Sequence, residues 1–191
     1  MATFTHSSTT SDNWMTPRSA WENIKHLIPS DKTLWESFYG DGTSGTYLKE
    51  LGFNTIHENI DFFEHDMGDI VVSNPPFSLI KEVLQRLVLL DKPFILILPS
   101  SRINTQYFRN IFKDKKIQII IPEKRIQFIK MPFDPKNSTS CNFDCFYYCY
   151  KMNLENDITW IWKKKLKDVW PCNSIKANKD FQSRWRRVPT T

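Results

Sequence analysis

Asp69-Ile70-Val71-Val72-Ser73-Asn74-Pro75-Pro76-Phe77 is the stretch from which the fold of this 191-residue chain is read. Ile70, Val71 and Val72 are three apolar β-formers in a row, the pattern of a short strand buried on both faces of a parallel sheet. Pro75 and Pro76 have no N–H to give to a ladder, so the strand ends there and Asn74 stands just before a stiff turn. Open α/β sheets bind ligands outside the carboxyl ends of their central strands, which is where this turn falls.

The turn carries groups suited to a planar exocyclic amine such as that of adenine. Such an amine is a poor nucleophile because its lone pair is delocalised into the ring. The side-chain oxygen of Asn74 and the carbonyl of Pro75 can accept its two hydrogens and favour a pyramidal, attacking nitrogen. Phe77 can stack on the base, which has to leave the helix to be reached. The two prolines hold these groups fixed, so little reorganisation is needed as charge develops. Short motifs also arise by chance, and the plainer reading is a strand-ending turn with a capping Asn.

Upstream, Thr33-Leu34-Trp35-Glu36-Ser37-Phe38 reads as a strand. It runs into Tyr39-Gly40-Asp41-Gly42-Thr43-Ser44-Gly45 and a helix from Thr46 to Leu51 that ends at Gly52. A glycine turn between strand and helix lets the backbone approach a ligand, and the helix presents free amides there. By itself a Gly-x-Gly-x-x-Gly turn also fits dinucleotide binders. A second strand, Asn54 to Glu58, is followed by Asp61-Phe62-Phe63. An acid closing the second strand of a doubly wound sheet typically binds ribose hydroxyls, and Glu58 holds that place. Asp61 is positioned to face an adenine amine; both can equally be ordinary loop acids. His57 reads as a surface histidine, since nothing near it in sequence completes a nucleophile–base pair. Nearer the N-terminus, Thr16-Pro17 reads as a helix entrance, an N-cap hydroxyl before a proline at the first helical position. The helix itself carries Trp21, Ile24, Leu27 and Ile28 at helical spacing.

Downstream, Ser78 to Leu90 is an amphipathic helix in which Ile80, Val83, Leu84, Leu87, Val88 and Leu90 follow the 3.6-residue period. Pro93 to Leu98 is a buried strand, Gln106 to Phe112 a helix, and Ile117 to Ile121 a further strand. Alternating strands and helices with short links argue a parallel α/β sheet. Arg125 to Phe128 and Phe143 to Tyr150 have no helix between them and read as an antiparallel hairpin.

The charge is uneven. Residues 151–191 hold ten basic and four acidic side chains, while residues 1–150 hold sixteen and seventeen. The basic excess therefore belongs to the tail, which points to a local anionic contact. There Trp160, Trp162, Trp170 and Trp185 interleave with Lys163-Lys164-Lys165 and with Arg184, Arg186 and Arg187, a mixture suited to phosphates and bases. A solvated lysine face is the alternative. Cys141, Cys145, Cys149 and Cys172 lack metal-ligand spacing and read as reduced, packed thiols, so no metal is expected. No apolar run approaches the ~20 residues of a membrane span, and Met1 to Ser11 lacks the segments of a secretory signal. The expected setting is intracellular, with no membrane partner.

Together these residues resemble the S-adenosylmethionine-dependent amino-methyltransferases of DNA, particularly compact adenine-N6 enzymes of phage and large-virus type. The resemblance covers roughly Asn13 to Lys151. It rests on Thr16-Pro17, then Phe38-x-Gly40-x-Gly42-x-x-Gly45, then an acidic strand end, then Asn74-Pro75-Pro76-Phe77. It implies a class I, Rossmann-like α/β fold: a mostly parallel seven-stranded sheet with an antiparallel last strand and helices on both faces. It also implies S-adenosyl-L-methionine as cofactor. Thr16 would hold the methionine carboxylate and Glu36 would sit beside the methionine moiety. Phe38, Gly40, Gly42 and Gly45 would line the loop, Glu58 would meet the ribose and Asp61 the adenine amine. Asn74, Pro75, Pro76 and Phe77 would form the target-amine site. The family usually has Pro between the acid and the Phe of the cofactor motif; here it is Ser37.

The expected organisation is a disordered N-terminus (1–12), a methyltransferase domain (13–151) and a basic, Trp-rich extension (152–191). With no long insertion to recognise a target, recognition falls to Arg102, Arg125 and the tail cations Lys163, Lys164, Lys165, Arg184, Arg186 and Arg187. The expected activity is transfer of a methyl group to adenine N6 in DNA. The competing readings are another planar amine (cytosine N4, an RNA base or a protein glutamine) or a catalytically silent nucleic-acid-binding subunit. A nucleotide-dependent oxidoreductase would explain the glycines but gives no purpose to Asn74 to Phe77.

Overall fold

The computed structural model describes residues 12–131 and 141–162. Along the chain run β1 (Trp14–Met15), α1 (Arg18–Ile24), β2 (Leu34–Trp35), α2 (Thr43–Glu50), β3 (Thr55–Ile56), β4 (Ile70–Ser73) and α3 (Ile80–Leu89). Then follow β5 (Phe94–Pro99), α4 (Gln106–Phe112), β6 (Ile117–Ile121), β7 (Ile129–Lys130), β8 (Cys145–Tyr150) and β9 (Ile158–Trp160). Seven strands form one sheet in the order β3-β2-β4-β5-β8-β6-β9. Every neighbouring pair is parallel except those made by β8, which runs against both β5 and β6. This is the Rossmann-like α/β sheet that the alternation of strands and helices implies.

The short apolar runs are explained by what covers them. Successive strand residues point to opposite faces. Ile70 and Val72 join Trp21 and Ile24 of α1 and Leu48 of α2 on one side. Val71, between them, joins Val83, Leu84 and Leu87 of α3 and Phe108 and Phe112 of α4 on the other. All three strand residues are therefore buried, and there is no polar face to give alternation. Each such side chain contributes roughly 1.5–3 kcal/mol by leaving water.

Four features differ from the sequence reading. First, Thr16 is not an N-cap: Pro17 takes that position with extended backbone and no side-chain cap, and α1 begins at Arg18. The proline has moved out by one residue, which leaves the Thr16 hydroxyl free of helix duty. Second, β2 stops at Trp35 rather than Phe38, although the Glu36 N–H still donates to the Ile56 carbonyl at 3.0 Å. Third, the second strand is shorter than Asn54 to Glu58: β3 holds only Thr55–Ile56, and beyond it Asp61 Oδ1 accepts the Phe63 N–H at 2.7 Å and closes a turn. Fourth, Arg125 to Phe128 does not pair with the 143–150 strand. β8 instead inserts between β5 and β6, and β7, just beyond Phe128, pairs with β1 in a separate two-stranded ladder. Hydrophobic patterning gave the strands but carried no information on which neighbours they would choose.

The sheet also continues past residue 151, where β9 adds to the edge beside β6. Trp160 and Trp162 stack on each other there, with centroids 6.0 Å apart, and both are exposed. Cys141, Cys145 and Cys149 are buried and unpaired. Burial pushes the thiols of Cys145 and Cys149 well up, so they remain protonated. Cys172 and the expected disorder of residues 1–11 lie outside the described residues. Among the described residues no helix is long and apolar enough to cross a membrane.

Candidate active site

The chain steps outward from β2 to β3 and returns on the opposite side of β2 as β4. A crevice therefore opens outside the carboxyl ends of β2 and β4, the place where open sheets hold ligands. A cavity of about 420 Å³ occupies it. Its walls come from four segments: 12–16, 36–44, 59–63 and 74–79. The glycine turn and the Asn-Pro-Pro-Phe elbow, 34 residues apart from Gly40 to Asn74, thus share one space that no packed side chain fills.

Three glycines shape the turn, for two reasons. Gly40 and Gly42 have φ of +57° and +84°, where side chains are strained. Asp41 Oδ1 locks the turn by accepting the Thr43 N–H at 3.0 Å and its hydroxyl at 2.6 Å. Gly45 lies inside α2, and a Cβ there would fall 2.2 Å from Cγ of His57. It exists to let the imidazole rest on the helix backbone.

His57 is therefore not the surface residue its sequence context indicates. Its side chain is 5 % exposed, with Nδ1 2.7 Å from Glu36 Oε2 and 3.0 Å from the Glu36 carbonyl oxygen. A carbonyl oxygen only accepts, so Nδ1 carries the proton. Tyr39 of the glycine turn stacks on the ring, centroids 4.8 Å apart. The other oxygen of Glu36 accepts the hydroxyl of Ser73, the last residue of β4, at 2.5 Å. Burial pushes the Glu36 carboxyl up, and the contacts with His57 and Ser73 recover only part of that. Burial alone would lower His57, but Glu36 outweighs it and the imidazolium is raised above its ordinary 6.5. The two groups titrate as a coupled pair, and each holds its proton more tightly in the fold than in the free side chain.

Both shifts have the same sign for stability. A group bound more tightly to its proton in the fold stabilises fully below its unfolded value, and that contribution fades as pH climbs through the folded one. Melting temperature is expected to fall as pH rises above 6.5, and His57→Gln to flatten the slope. Parallel curves for the two proteins from pH 6 to 9 would rule the pair out as its source.

Asn74 follows directly on β4, with its amide fixed. Its Nδ2 donates to the Trp14 carbonyl at 3.3 Å, and since that carbonyl cannot donate in return, Oδ1 is turned away. Oδ1 is buried with no hydrogen-bond partner among the described residues. The Phe77 N–H donates to Asp12 Oδ1 at 3.1 Å. The Phe77 ring meets Phe143 and Phe128 edge-on at 5.4 and 6.4 Å, which sets its plane beside the cavity. Thr16 (4 % exposed), Phe38 and Asp61 also line the space.

Residues 22–168 match the family model described as the adenine-specific methyltransferase EcoRI. The chain belongs to the EcoRI adenine-specific methyltransferase family. The type II methyltransferase M.EcoRI of Escherichia coli is 36% identical over 96 residues, which is 50% of this chain and 26% of that protein. The chain thus spans about a quarter of the length of the curated relative it matches. The crystal structure of a dimethyladenosine transferase from Plasmodium falciparum aligns with a TM-score of 0.46 at 11% identity, over 71% of this chain and 62% of that one.

For this member of the EcoRI methyltransferase family, several residues singled out from sequence stand apart from the cavity. Glu58 is exposed and does not line it; its neighbour Asn59 does. Gly42 and Gly45 shape the turn from behind. Arg125 is held by Asp144 at 2.8 Å and by the Cys141 carbonyl, while Arg102 is half-buried. Lys163, Lys164, Lys165, Arg184, Arg186 and Arg187 lie outside the described residues. Sequence reading missed His57, Ser73 and Asp12. Gly45 was the available signal for His57, because a glycine inside a helix marks a close approach.

Proposed function

We propose that this chain transfers the methyl group of S-adenosyl-L-methionine to the exocyclic N6 amine of adenine in DNA. The observation that carries the reading is the Asn74 amide, held by the Trp14 carbonyl with its oxygen unpaired, in the cavity that the glycine turn enters. Family membership supports the same reading.

The residues present fit a methyl donor of this size. About 420 Å³ is the volume of an ordinary small-molecule site. Gly40 brings backbone to its wall without a side chain, and Thr16, Glu36, Phe38 and Asp61 supply polar and aromatic groups around it. When bound, S-adenosylmethionine supplies a methyl carbon made electrophilic by its sulfonium. Glu36, kept in place by Ser73 and His57, gives the donor end of the cavity a fixed acid. Asn74 Oδ1 accepts a hydrogen of the target amine and drives its nitrogen towards a pyramidal shape. The Pro75-Pro76 backbone holds that oxygen still, so the stabilisation costs no reorganisation as charge develops. Phe77 gives the base a ring to stack on. Arg102, Arg125 and the basic tail are assigned to phosphates.

The test is incubation of the purified chain with labelled methyl donor and separate DNA, RNA and glutamine-peptide substrates, followed by nucleoside and amino-acid analysis. N6-methyladenine from DNA is the expected product. Label confined to N4-methylcytosine, RNA or peptide would move the assignment to that amine, and no label with any of them would remove it.

A further inference from the structure

The outermost strand, β9, leaves a large apolar surface open. Among the described residues it pairs only with β6. Successive strand residues face opposite ways, and here the two sets are used differently. Ile161 packs against the core, whereas Ile158, Trp160 and Trp162 are exposed at 53, 56 and 68 %. The two indoles stack on each other with their planes 19° apart. Sheet edges are usually blunted by charge, and an open patch of large apolar side chains marks a contact.

The place of the pair in the sheet says which contact. β8 runs against both β5 and β6, so β4, β5, β6 and β9 all point the same way. Trp160, the last residue of β9, therefore lies at the end of the sheet where Asn74 follows β4. The Ile161 N–H donates to the Ile121 carbonyl at 3.0 Å, which sets Trp162 beside the loop that leaves β6. Lys124 of that loop is exposed, and Lys163-Lys164-Lys165 follow Trp162 directly in sequence. Four strand spacings separate β4 from β9, roughly 19 Å at about 4.8 Å each. At about 3.4 Å per nucleotide, that is a run of about six nucleotides along one strand. An indole binds a base by its flat face, which a duplex keeps covered with stacked neighbours. Aromatic faces beside lysines thus fit an unpaired strand. A protein partner would use the apolar area but gives no reason for it to stand at the end where the target base enters.

We propose that the Trp160–Trp162 pair is a stacking platform for unpaired bases of the strand that carries the target adenine, up to about six nucleotides from it. This role rests on the proposed DNA substrate. A base held in the cavity has left its own stack and lost that stacking energy. A second hold on the same strand keeps its backbone across the loops that follow β5 and β6 while the adenine is out. Stacking is indifferent to base identity, so the platform adds affinity without adding a recognition sequence. It also favours single-stranded or opened DNA over closed duplex, whose base faces are already occupied.

The test uses the full chain and single-stranded oligonucleotides with a central deoxyadenosine in a thymidine run. A short block of tetrahydrofuran abasic residues, which keep the phosphates and lack the bases, is stepped outward from the target on each side. Affinity is read by fluorescence anisotropy, and methyl transfer is read in parallel. For the wild-type chain, a block within about six nucleotides of the target on one side is expected to weaken binding about 10- to 100-fold, as the loss of stacked bases implies. Trp160→Leu with Trp162→Leu keeps apolar bulk but has no ring. It is expected to lose the same factor on the intact oligonucleotide and to become indifferent to the block. Trp160→Phe with Trp162→Phe keeps the rings and should retain most of the affinity. Both residues are exposed, so melting temperature should match wild type in each variant. A wild-type chain indifferent to the block at every position, or a Leu variant that still responds to it, overturns the assignment. A Leu variant that changes melting temperature or sedimentation but not DNA affinity also overturns it, and marks the face as a protein contact. A chain that responds to the block as expected but methylates no oligonucleotide keeps the platform and removes the methyltransferase reading instead.

Discussion

Asn74→Ala should lower methyl transfer by about two to three orders of magnitude, the usual cost of removing one preorganised group aimed at developing charge. Affinity for the methyl donor should change little, because the residues proposed to hold it sit on the glycine turn and on the segment that holds Thr16. The loss belongs in kcat rather than KM, since the oxygen matters most when the nitrogen becomes pyramidal. Asn74→Asp is the informative companion. It keeps an acceptor towards the amine but sets a second oxygen against the Trp14 carbonyl, where Nδ2 now donates. It should retain part of the activity and loosen the contact with Trp14. Single-turnover transfer with calorimetric donor binding separates these effects. Alanine turning over at the wild-type rate would end the role assigned to this residue.

Gly45→Ala is expected to have the largest effect on folding. The added Cβ would lie 2.2 to 2.5 Å from Cγ, Cδ2 and Cβ of His57, distances real atoms do not tolerate. His57 cannot swing aside cheaply. Its ring is pinned between the Glu36 carboxyl and Tyr39, and its own Cβ is among the clashing atoms. Overfilling of this kind costs about 3 kcal/mol at the upper end of its usual range, or about 6–12 °C of melting temperature for a chain of this length. Donor binding should fall with it, because the imidazole props Glu36. A melting curve that coincides with wild type would mean that the helix and the ring are not in contact. Gly42→Ala should be milder: it strains a left-handed backbone, but the nearest atom, the Tyr39 hydroxyl, is 3.2 Å away at the end of a side chain.

Much of the site could be read before the fold was seen, for physical reasons. Two consecutive prolines after three apolar β-formers leave few structures open, and β4 ends at Ser73 with Asn74 just beyond it, as that pattern requires. The glycine turn was legible because positive φ at Gly40 and Gly42 needs the residue type that the sequence supplies. What stayed hidden depended on partners distant in sequence. Asp12 and Phe77 are 65 residues apart, and Glu36 and Ser73 are 37 apart. No local pattern reports such pairs. His57 was misread for that reason, since an imidazole between two short strands looks solvated until Gly45 is seen to make room for it. The 125–150 hairpin failed for a related reason. Periodicity identifies a strand by its faces, whereas the choice of edge is made by the rest of the sheet. Glu58 illustrates a smaller error, because β3 is only two residues long and the chain has turned away before residue 58.

The reversed strand has a consequence for how this protein is made. Among the described residues, β8 is the only strand that joins the β3-β2-β4-β5 half of the sheet to β6 with β9. Until the ribosome has released residues 145–150, β5 presents one unpaired flank, and Phe94 to Leu98 are all fully buried in the finished protein. A nascent chain stalled short of Cys145 carries an open apolar seam of the kind that recruits other chains. Synthesis therefore passes through an aggregation-prone length shortly before the residues that end the hazard.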